Sequence, residues 1–333
     1  MKKTVFSYVL TPEQQNALEK ILRSGPYELR EEQHARIAAA ADGVHVSLYQ
    51  SGKCVVQGRK AEEWVLYTLE PRILKKAELG YEEVLHPEKF SPHAGVDESG
   101  KGDYFGPLVI AAVYLDSSQM RRLLDEGIRD SKKVSSGRLI TEMERTIRKV
   151  SGGRSASVVI GPAKYNELYR KMRNVNRILA WGHARAIENL LQQVPECQRV
   201  ISDKFAGEHV VLSALMRKGR AVTLEQKHRA ETYPAVAAAS ILARSAFLRY
   251  LKSMEKKYRV DFPPGASAPV LEAAAKLVEE RGPAVLLEVA KCHFRTTRQA
   301  LQRAGVTPQA IPPELGDMLA DDHARPRSAS CER

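Results

Sequence analysis

Long apolar runs and paired cysteines are both missing from this chain. None of its 333 residues belongs to an apolar stretch near the roughly 20 residues a membrane-spanning helix needs. The opening "MKKTVFSYVLTPEQQ" holds only a short apolar run and passes into a polar helical pattern, so no leader peptide is expected. The four cysteines, Cys54, Cys197, Cys292 and Cys331, are scattered and form no CxxC pair. That spacing excludes a disulfide framework and a cysteine-type zinc site, and predicts reduced thiols in a cytoplasmic protein. Internal repeats are absent as well. Acids are in deficit: 40 Asp and Glu face 52 Lys and Arg, for a formal charge of +12 and a pI near 9.5. Such an excess favours a polyanionic partner, either nucleic acid or an anionic membrane surface.

What is present divides into a small and a large domain. Residues 4–10, "TVFSYVL", have strand composition, and Thr11-Pro12-Glu13 supplies an N-cap and a first-turn proline for the helix "EQQNALEKILRS". Short strand-like stretches follow Gly25-Pro26, among them "VHVSLYQ" and "KCVVQGR", with Ser51-Gly52 as a hairpin signal. "AEEWVLYTLEPRIL" is expected to close this α+β domain, residues 1–75, as a second helix. Residues 76–92, with Gly80, Pro87 and Pro92, read as a linker. From 93 to 311, "LVIAAVYLD", "SASVVIGP", "RVISDKF" and "AVTLEQK" are strand-like, with helices near 137–150, along 163–193, in the Ala-rich run after Tyr233 and between 269 and 304. The alternation predicts an α/β fold, a mixed sheet with helices on both faces. Residues 312–333, rich in Pro, Ser, Asp and Arg, are expected to be a disordered tail.

The chemistry centres on "GVDESGKGDYFGP". Asp97 and Glu98 stand side by side at the expected end of a strand, ahead of Gly100-Lys101-Gly102. Asp203 ends "RVISD", and Glu231 opens the Ala-rich helix. Strand ends and helix starts are where α/β folds place their sites. Converging carboxylates repel one another unless divalent cations neutralise them, and hard oxygen donors suit Mg²⁺ or Mn²⁺. Neighbours on a regular strand point to opposite faces, so Asp97 and Glu98 share a site only if the strand ends or bends there. Gly100-Lys101-Gly102 is not a Walker A loop; it offers bare backbone and one positive charge to a sugar or phosphate. Most of the chain's acids are simply solvated, and any one of these four alone would be weak evidence.

"GVDESGKGDYFGPLVIAAV", "GIRDSKKVS", "ISDKF" and "AETYPAVAAASILAR", in that order, resemble the type 2 ribonucleases H over residues 94–250. Gly-Lys-Gly before Asp-Tyr-Phe-Gly-Pro, glutamate as the fourth acid, the small N-terminal domain and "KCHFRTTRQAL" make the chain similar to ribonuclease HIII. The resemblance implies a ribonuclease H fold preceded by a TATA-binding-protein-like module that binds the hybrid. It implies an endonuclease that cuts the RNA strand of an RNA–DNA hybrid duplex, leaving 3′-hydroxyl and 5′-phosphate ends. Asp97, Glu98, Asp203 and Glu231 become the catalytic carboxylates, holding two Mg²⁺ or Mn²⁺ ions; Gly100, Lys101 and Gly102 become the loop that reads the ribose 2′-hydroxyl. Water-activating carboxylates are consistent with a 5′-phosphate product, whereas attack by the 2′-hydroxyl commonly uses histidines as base and acid. The alternatives are cleavage at single ribonucleotides within DNA, as in ribonuclease HII, and a non-catalytic hybrid-binding protein.

Ser131, Lys132 and Lys133 carry donors and charge suited to a phosphate. Lys204 could meet a phosphate, and Tyr104 could lie near substrate or in the core. His228 and His293 lack ligand-like spacing. In the small domain Lys53, Arg59 and Lys60 are candidate backbone contacts. Residues 1–80 hold only 12 basic against 10 acidic residues, leaving 40 against 30 for the remainder. A monomer is the expectation.

Overall fold

The computed structural model describes residues 4–76, 85–128, 137–204, 214, 219 and 222–319. Contacts divide the chain into two compact units, one of residues up to Ser91 with Arg121–Gly127, the other of Pro92–Met120 and residues from Ile128 on.

The first unit is built on a five-stranded antiparallel sheet. Its strands are β1 (Val5–Val9), β2 (Glu28–Arg30), β3 (Ala35–Ala41), β4 (Val44–Tyr49) and β5 (Lys53–Gln57), in the order β1-β5-β4-β3-β2. Helix α1 (Pro12–Ser24) starts on a capping box, in which Thr11 and Gln14 each accept from the other's backbone N–H. Its Leu18 and Leu22 are fully buried against Phe6, Val46, Leu48 and Val56. Gly52, at φ +80, turns the hairpin between β4 and β5 where Ser51-Gly52 predicts one.

The second expected helix departs from plan. Only α2 (Ala61–Trp64) is α-helical, and Val65–Leu74 is wound as a π-helix with Pro71 inside it. Proline has no N–H, and its ring collides with the carbonyl four residues back in an α-helix; the wider π turn relieves that collision. The segment still packs as a helix should, burying Val65, Leu69 and Ile73.

The second unit has β6 (His93–Ser99), β7 (Leu108–Leu115), β8 (Ser155–Ile160), β9 (Arg199–Asp203) and β10 (Thr223–Lys227), in the order β10-β9-β6-β7-β8. β10, β9 and β6 run parallel, whereas β6, β7 and β8 are antiparallel neighbours. This is the mixed sheet expected. Helix α3 (Ser117–Asp125) begins in this unit, and its residues from Arg121 on belong to the first. The unit's own helices are α4 (Gly137–Val150), α5 (Pro162–Met172), α6 (Val175–Gln193) and α7 (Pro234–Tyr258), followed by α8 (Ala268–Arg281), α9 (Val285–Val289), α10 (Arg295–Arg303) and α11 (Pro313–Leu319).

Every residue of β7 is buried, which fits a central strand covered on both faces. Gly182 of α6 approaches Ile110 on one face. On the other, Gly95 lies so close to α7 that a Cβ there would stand 2.1 Å from the Ala235 carbonyl carbon. The alanine-rich start of α7 permits that approach.

Two expectations need correction. The run 163–193 is two helices, because Arg173 turns left-handed (φ 51) and Asn174 caps α6, its side chain accepting from Asn176 and Arg177 N–H. The tail expected to be disordered from 312 begins with α11, which is anchored by buried Leu315 and Met318. Cys54, Cys197 and Cys292 are free and buried; Cys331 lies outside the described residues. Among the described residues no helix is long and apolar enough to cross a membrane.

Candidate active site

The last pair joining β6 to β9 is Val96 with Ser202. One residue further along each strand stand Asp97 and Asp203, so both acids sit where two parallel strands part. A parting of this kind leaves a crevice beyond the carboxyl ends of the strands. Asp97, Glu98, Ser99, Gly100, Lys101, Gly102, Asp203, Glu231, Ser240 and Arg244 line one cleft of about 340 Å³ there. All four sequence-predicted acids and the Gly100-Lys101-Gly102 turn are thus brought together.

Asp97 and Glu98 reach this cleft without the strand ending between them. The β6–β7 ladder is regular through Asp97–Ala111, Glu98–Ile110 and Ser99–Val109. Alternation therefore aims the two carboxylates at opposite helical layers. Asp97 faces α7, where Ser240 donates to it, and its Oδ1 accepts from the Glu98 N–H at 2.8 Å. Glu98 faces α6, where its Oε2 meets His183 Nε2 at 3.1 Å. Lys101 Nζ stands 3.7 Å from Glu98 Oε1.

The two acids differ in electrostatics. Burial and the adjacent Glu98 push the Asp97 carboxyl up to about 7, against the pull of the Glu98 N–H, Ser240 and His183. Burial would raise Glu98 too, but His183 and Lys101 overcome it and hold that carboxyl below its ordinary value. For Glu98 the neighbouring groups outweigh burial, and for Asp97 burial and Glu98 outweigh the groups that oppose them.

Glu231 arrives by a different route. After β10, Arg229 takes a left-handed conformation (φ 55) and starts a single 3₁₀ turn, Ala230–Thr232, before Pro234 opens α7. The Ala230 N–H points at Asp203 Oδ1 (3.4 Å), and Ile201, Ala230, Tyr233 and Val236 close a small apolar cluster beneath it. The turn carrying Glu231 is thereby held against the tip of β9.

Four carboxylates are a hard-oxygen donor set suited to a divalent cation, and Asp97, its carboxyl raised by burial and by Glu98, fits one. Among the described residues, no group of three or more His, Cys, Asp or Glu already stands at ligating separation. The acids share a cleft without forming a closed cage.

The remaining candidates separate cleanly. Ser131, Lys132 and Lys133 lie outside the described residues. Tyr104 is core: it is fully buried, and the Thr297 hydroxyl donates to its oxygen at 3.2 Å. His293 stacks on Tyr169 with ring centroids 4.6 Å apart, and His228 is exposed; neither lines the cleft. Lys204 is exposed at the end of β9. Arg59 and Lys60 both pair with Asp42, at 2.8 and 2.6 Å, while Lys53 is exposed.

Sequence reasoning missed His183, Ser240 and Arg244. His183 had a signal, since it lies in line with the buried Leu179, Ile187 and Leu190, a polar residue inside an apolar helical stripe. Ser240 and Arg244, one turn apart on α7, read as ordinary helix formers.

Comparison with known proteins identifies the family. Residues 94–297 match the family model described as Ribonuclease HII. Over 277 residues, 82% of this chain and 88% of the relative, the sequence is 42% identical to a protein named Ribonuclease HIII from Protochlamydia amoebophila. It is 39% identical to the Ribonuclease HIII of Chlamydia pneumoniae over 87% of this chain and 96% of that one. The structure is similar to that of Bst-RNase HIII in complex with Mn²⁺, with a TM-score of 0.62, 26% identity, and coverage of 90% of this chain and 99% of the other. The match to ribonuclease H2 from Pyrococcus horikoshii, with a TM-score of 0.53 and 21% identity over 65% of this chain and 100% of the other, concerns the fold alone. The fold thus falls in the type 2 ribonuclease H class. Within that class, this chain belongs to the ribonuclease HIII family, and it is an enzyme of ribonuclease H type.

Proposed function

We propose that this enzyme cuts the RNA strand of RNA–DNA hybrids internally, leaving 3′-hydroxyl and 5′-phosphate ends. The observation that carries the reading is the cleft itself, in which four carboxylates from three separate segments line one crevice with a glycine-flanked lysine. Asp97, Glu98, Asp203 and Glu231 would hold two Mg²⁺ or Mn²⁺ ions. Bound there, the ions supply charge to water and to the leaving 3′-oxygen of a phosphodiester. The Mn²⁺ complex of Bst-RNase HIII supports a divalent cation in this family.

The protein's own residues prepare that site. His183 keeps Glu98 charged and aimed, while Ser240 donates to Asp97 from the opposite layer and opposes the rise that burial imposes on its carboxyl. Gly102 leaves open space where a side chain would stand, so backbone there can lie against a ribose and its 2′-hydroxyl. Lys101 adds charge at the rim, and Ser131, Lys132 and Lys133 would contact phosphate. Residues 1–75 would bind the hybrid through their sheet, joined by the 76–92 linker to the catalytic part.

The decisive assay uses 5′-labelled RNA annealed to DNA, with Mg²⁺, Mn²⁺ or EDTA, beside the Asp97→Asn variant. Internal cuts that need metal, spare single-stranded RNA and vanish in Asp97→Asn are expected. Hybrid that is bound but left uncut would move the function to a binding protein. Because the matching family model is described as Ribonuclease HII, a DNA duplex with one embedded ribonucleotide belongs in the same assay. Preferential cutting of that duplex would favour the HII-like alternative.

A further inference from the structure

Lys291 is the only described lysine in the fully buried set, with 0% of its surface exposed, and it lies outside the lining of the cleft. No described carboxylate stands within ion-pair distance of it. Its Nζ donates to the Gly106 carbonyl at 2.7 Å, with the Phe105 and Pro107 carbonyls at 3.3 and 3.4 Å. The Tyr165 ring centroid is 5.9 Å away. A buried ammonium without a carboxylate is among the less favourable things a core can hold, and a methionine would fill the space more easily. Burial draws this ammonium down to about 7, against the opposing influence of Asp103 and Cys292. What the position gains is a grip on three successive carbonyls.

Those carbonyls close the loop that begins at Gly100. The β6–β7 ladder stops at Ser99–Val109, so Asp97 and Glu98 are held by the sheet, whereas residues 100–107 lie outside that ladder. The loop is fastened from the far end of the chain instead. Lys291 N–H donates to the Tyr104 carbonyl (2.8 Å), Gly106 N–H to Val289 (2.9 Å), and Phe105 bridges to Ala290. At its near end, Gly100 (φ +91) lies against the Pro107 carbonyl, 2.2 Å from where its Cβ would be. A shift of that carbonyl towards Gly100 would press on it and, through it, on the Lys101-Gly102 turn.

We propose that Lys291 is a positioning residue for substrate binding: by gripping the Phe105, Gly106 and Pro107 carbonyls it holds the Gly100–Gly102 turn where that turn meets the hybrid. The inference rests on the reading of this turn as a substrate contact. It separates binding from chemistry, because the sheet holds Asp97, Glu98 and Asp203, and the turn after β10 holds Glu231, independently of the lysine.

The test is steady-state cleavage of a hybrid by Lys291→Met, Lys291→Gln and Lys291→Arg, assayed well below each variant's melting temperature. Lys291→Met is expected to raise KM about tenfold with kcat within about threefold of the parent, an interaction lost from binding alone. Lys291→Gln, with two N–H donors, should fall between, and Lys291→Arg should recover most of the loss. A lysine that merely stabilised the fold would lower the melting temperature and leave KM unchanged. A folded Met or Gln variant with parental KM overturns the proposal, as does a fall in kcat at constant KM. Gly102→Val guards the underlying reading, since its side chain enters open space at the cleft and spares the core. If Gly102→Val also leaves KM unchanged, the turn is not a substrate contact. If it raises KM while the folded Lys291 variants do not, the Lys291 inference alone fails.

Discussion

Asp97 is set against its own surroundings. A half-buried carboxylate next to Glu98 would sooner keep its proton, and its carboxyl rises from 3.8 to about 7. A folded-state value above the unfolded one means that the folded chain holds a proton the unfolded chain releases. Stability from this group is therefore complete below about pH 4 and falls as pH rises towards 7. Asn at this position keeps an oxygen for the Glu98 N–H and removes the charge. Asp97→Asn, inactive by the reading above, should then be more stable than the parent in EDTA by about 1–3 kcal/mol. Thermal melts should place the larger gain at about pH 8 and the smaller at about pH 5; a variant less stable at both contradicts the account. Added Mg²⁺ or Mn²⁺ should narrow the difference by raising the parent.

Whole elements carry other demands. Strand β6 and helix α7 meet at Gly95 and Ala235 with no space for a methyl group. Gly95→Ala should cost about 3 kcal/mol or more, because backbone on both sides must move. A melting temperature within a degree or two of the parent would show that the approach is looser than described. In the first unit, the segment after β2 is tied to the outward side of β4 by Glu32. Ser47 and Tyr49 donate to its carboxylate at 2.5 Å each, and His45 stands at 3.0 Å. These bonds, Ser47's foremost, pull the Glu32 carboxyl down from 4.5 to about 2. A depressed value means stability present above pH 4.5 and lost as pH falls towards 2. Glu32→Gln should lower stability near neutrality by about 1–3 kcal/mol and flatten the decline of the melting curve in acid. An unchanged acid limb would assign that decline to other carboxylates.

Elements also show what a reader of the sequence can and cannot see. Strands β7 and β9 and the start of α7 were legible because local composition and tertiary burial agree there. Pro71 was visible, but its consequence was not, since whether a helix kinks, ends or widens at proline depends on what packs around it. The pairing of Asp97 and Glu98 was legible as a motif. The expectation that the strand must end or bend for both to reach one site is corrected by a neighbour far away in sequence: β9 stops pairing with β6 at Ser202, and a straight strand suffices. His183 and Lys291 escaped notice for the same reason, since their partners lie 85 residues or more away along the chain.

For the whole molecule, charge is the quantity that matters. The formal +12 resides mostly beyond residue 80, where 40 bases face 30 acids. Binding to a hybrid should therefore be strongly salt-dependent, with KM rising at least about tenfold between roughly 50 and 200 mM salt. Arg59 and Lys60 are occupied by Asp42. Replacing both with Gln should alter the logarithmic salt slope by less than about 1, whereas a change nearer 2 would make them phosphate contacts.

The alternation of Asp97 and Glu98 has one more implication. Each acid leans on a different layer of a three-layer sandwich, Ser240 of α7 on one side and His183 of α6 on the other. On the proposed reading, drawing the two carboxylates onto common ions would tighten the sandwich across its full thickness. The affinity for those ions would then gauge how well the layers fit: a misfit between Gly182 and Ile110 would register as weaker metal binding before it registered as unfolding.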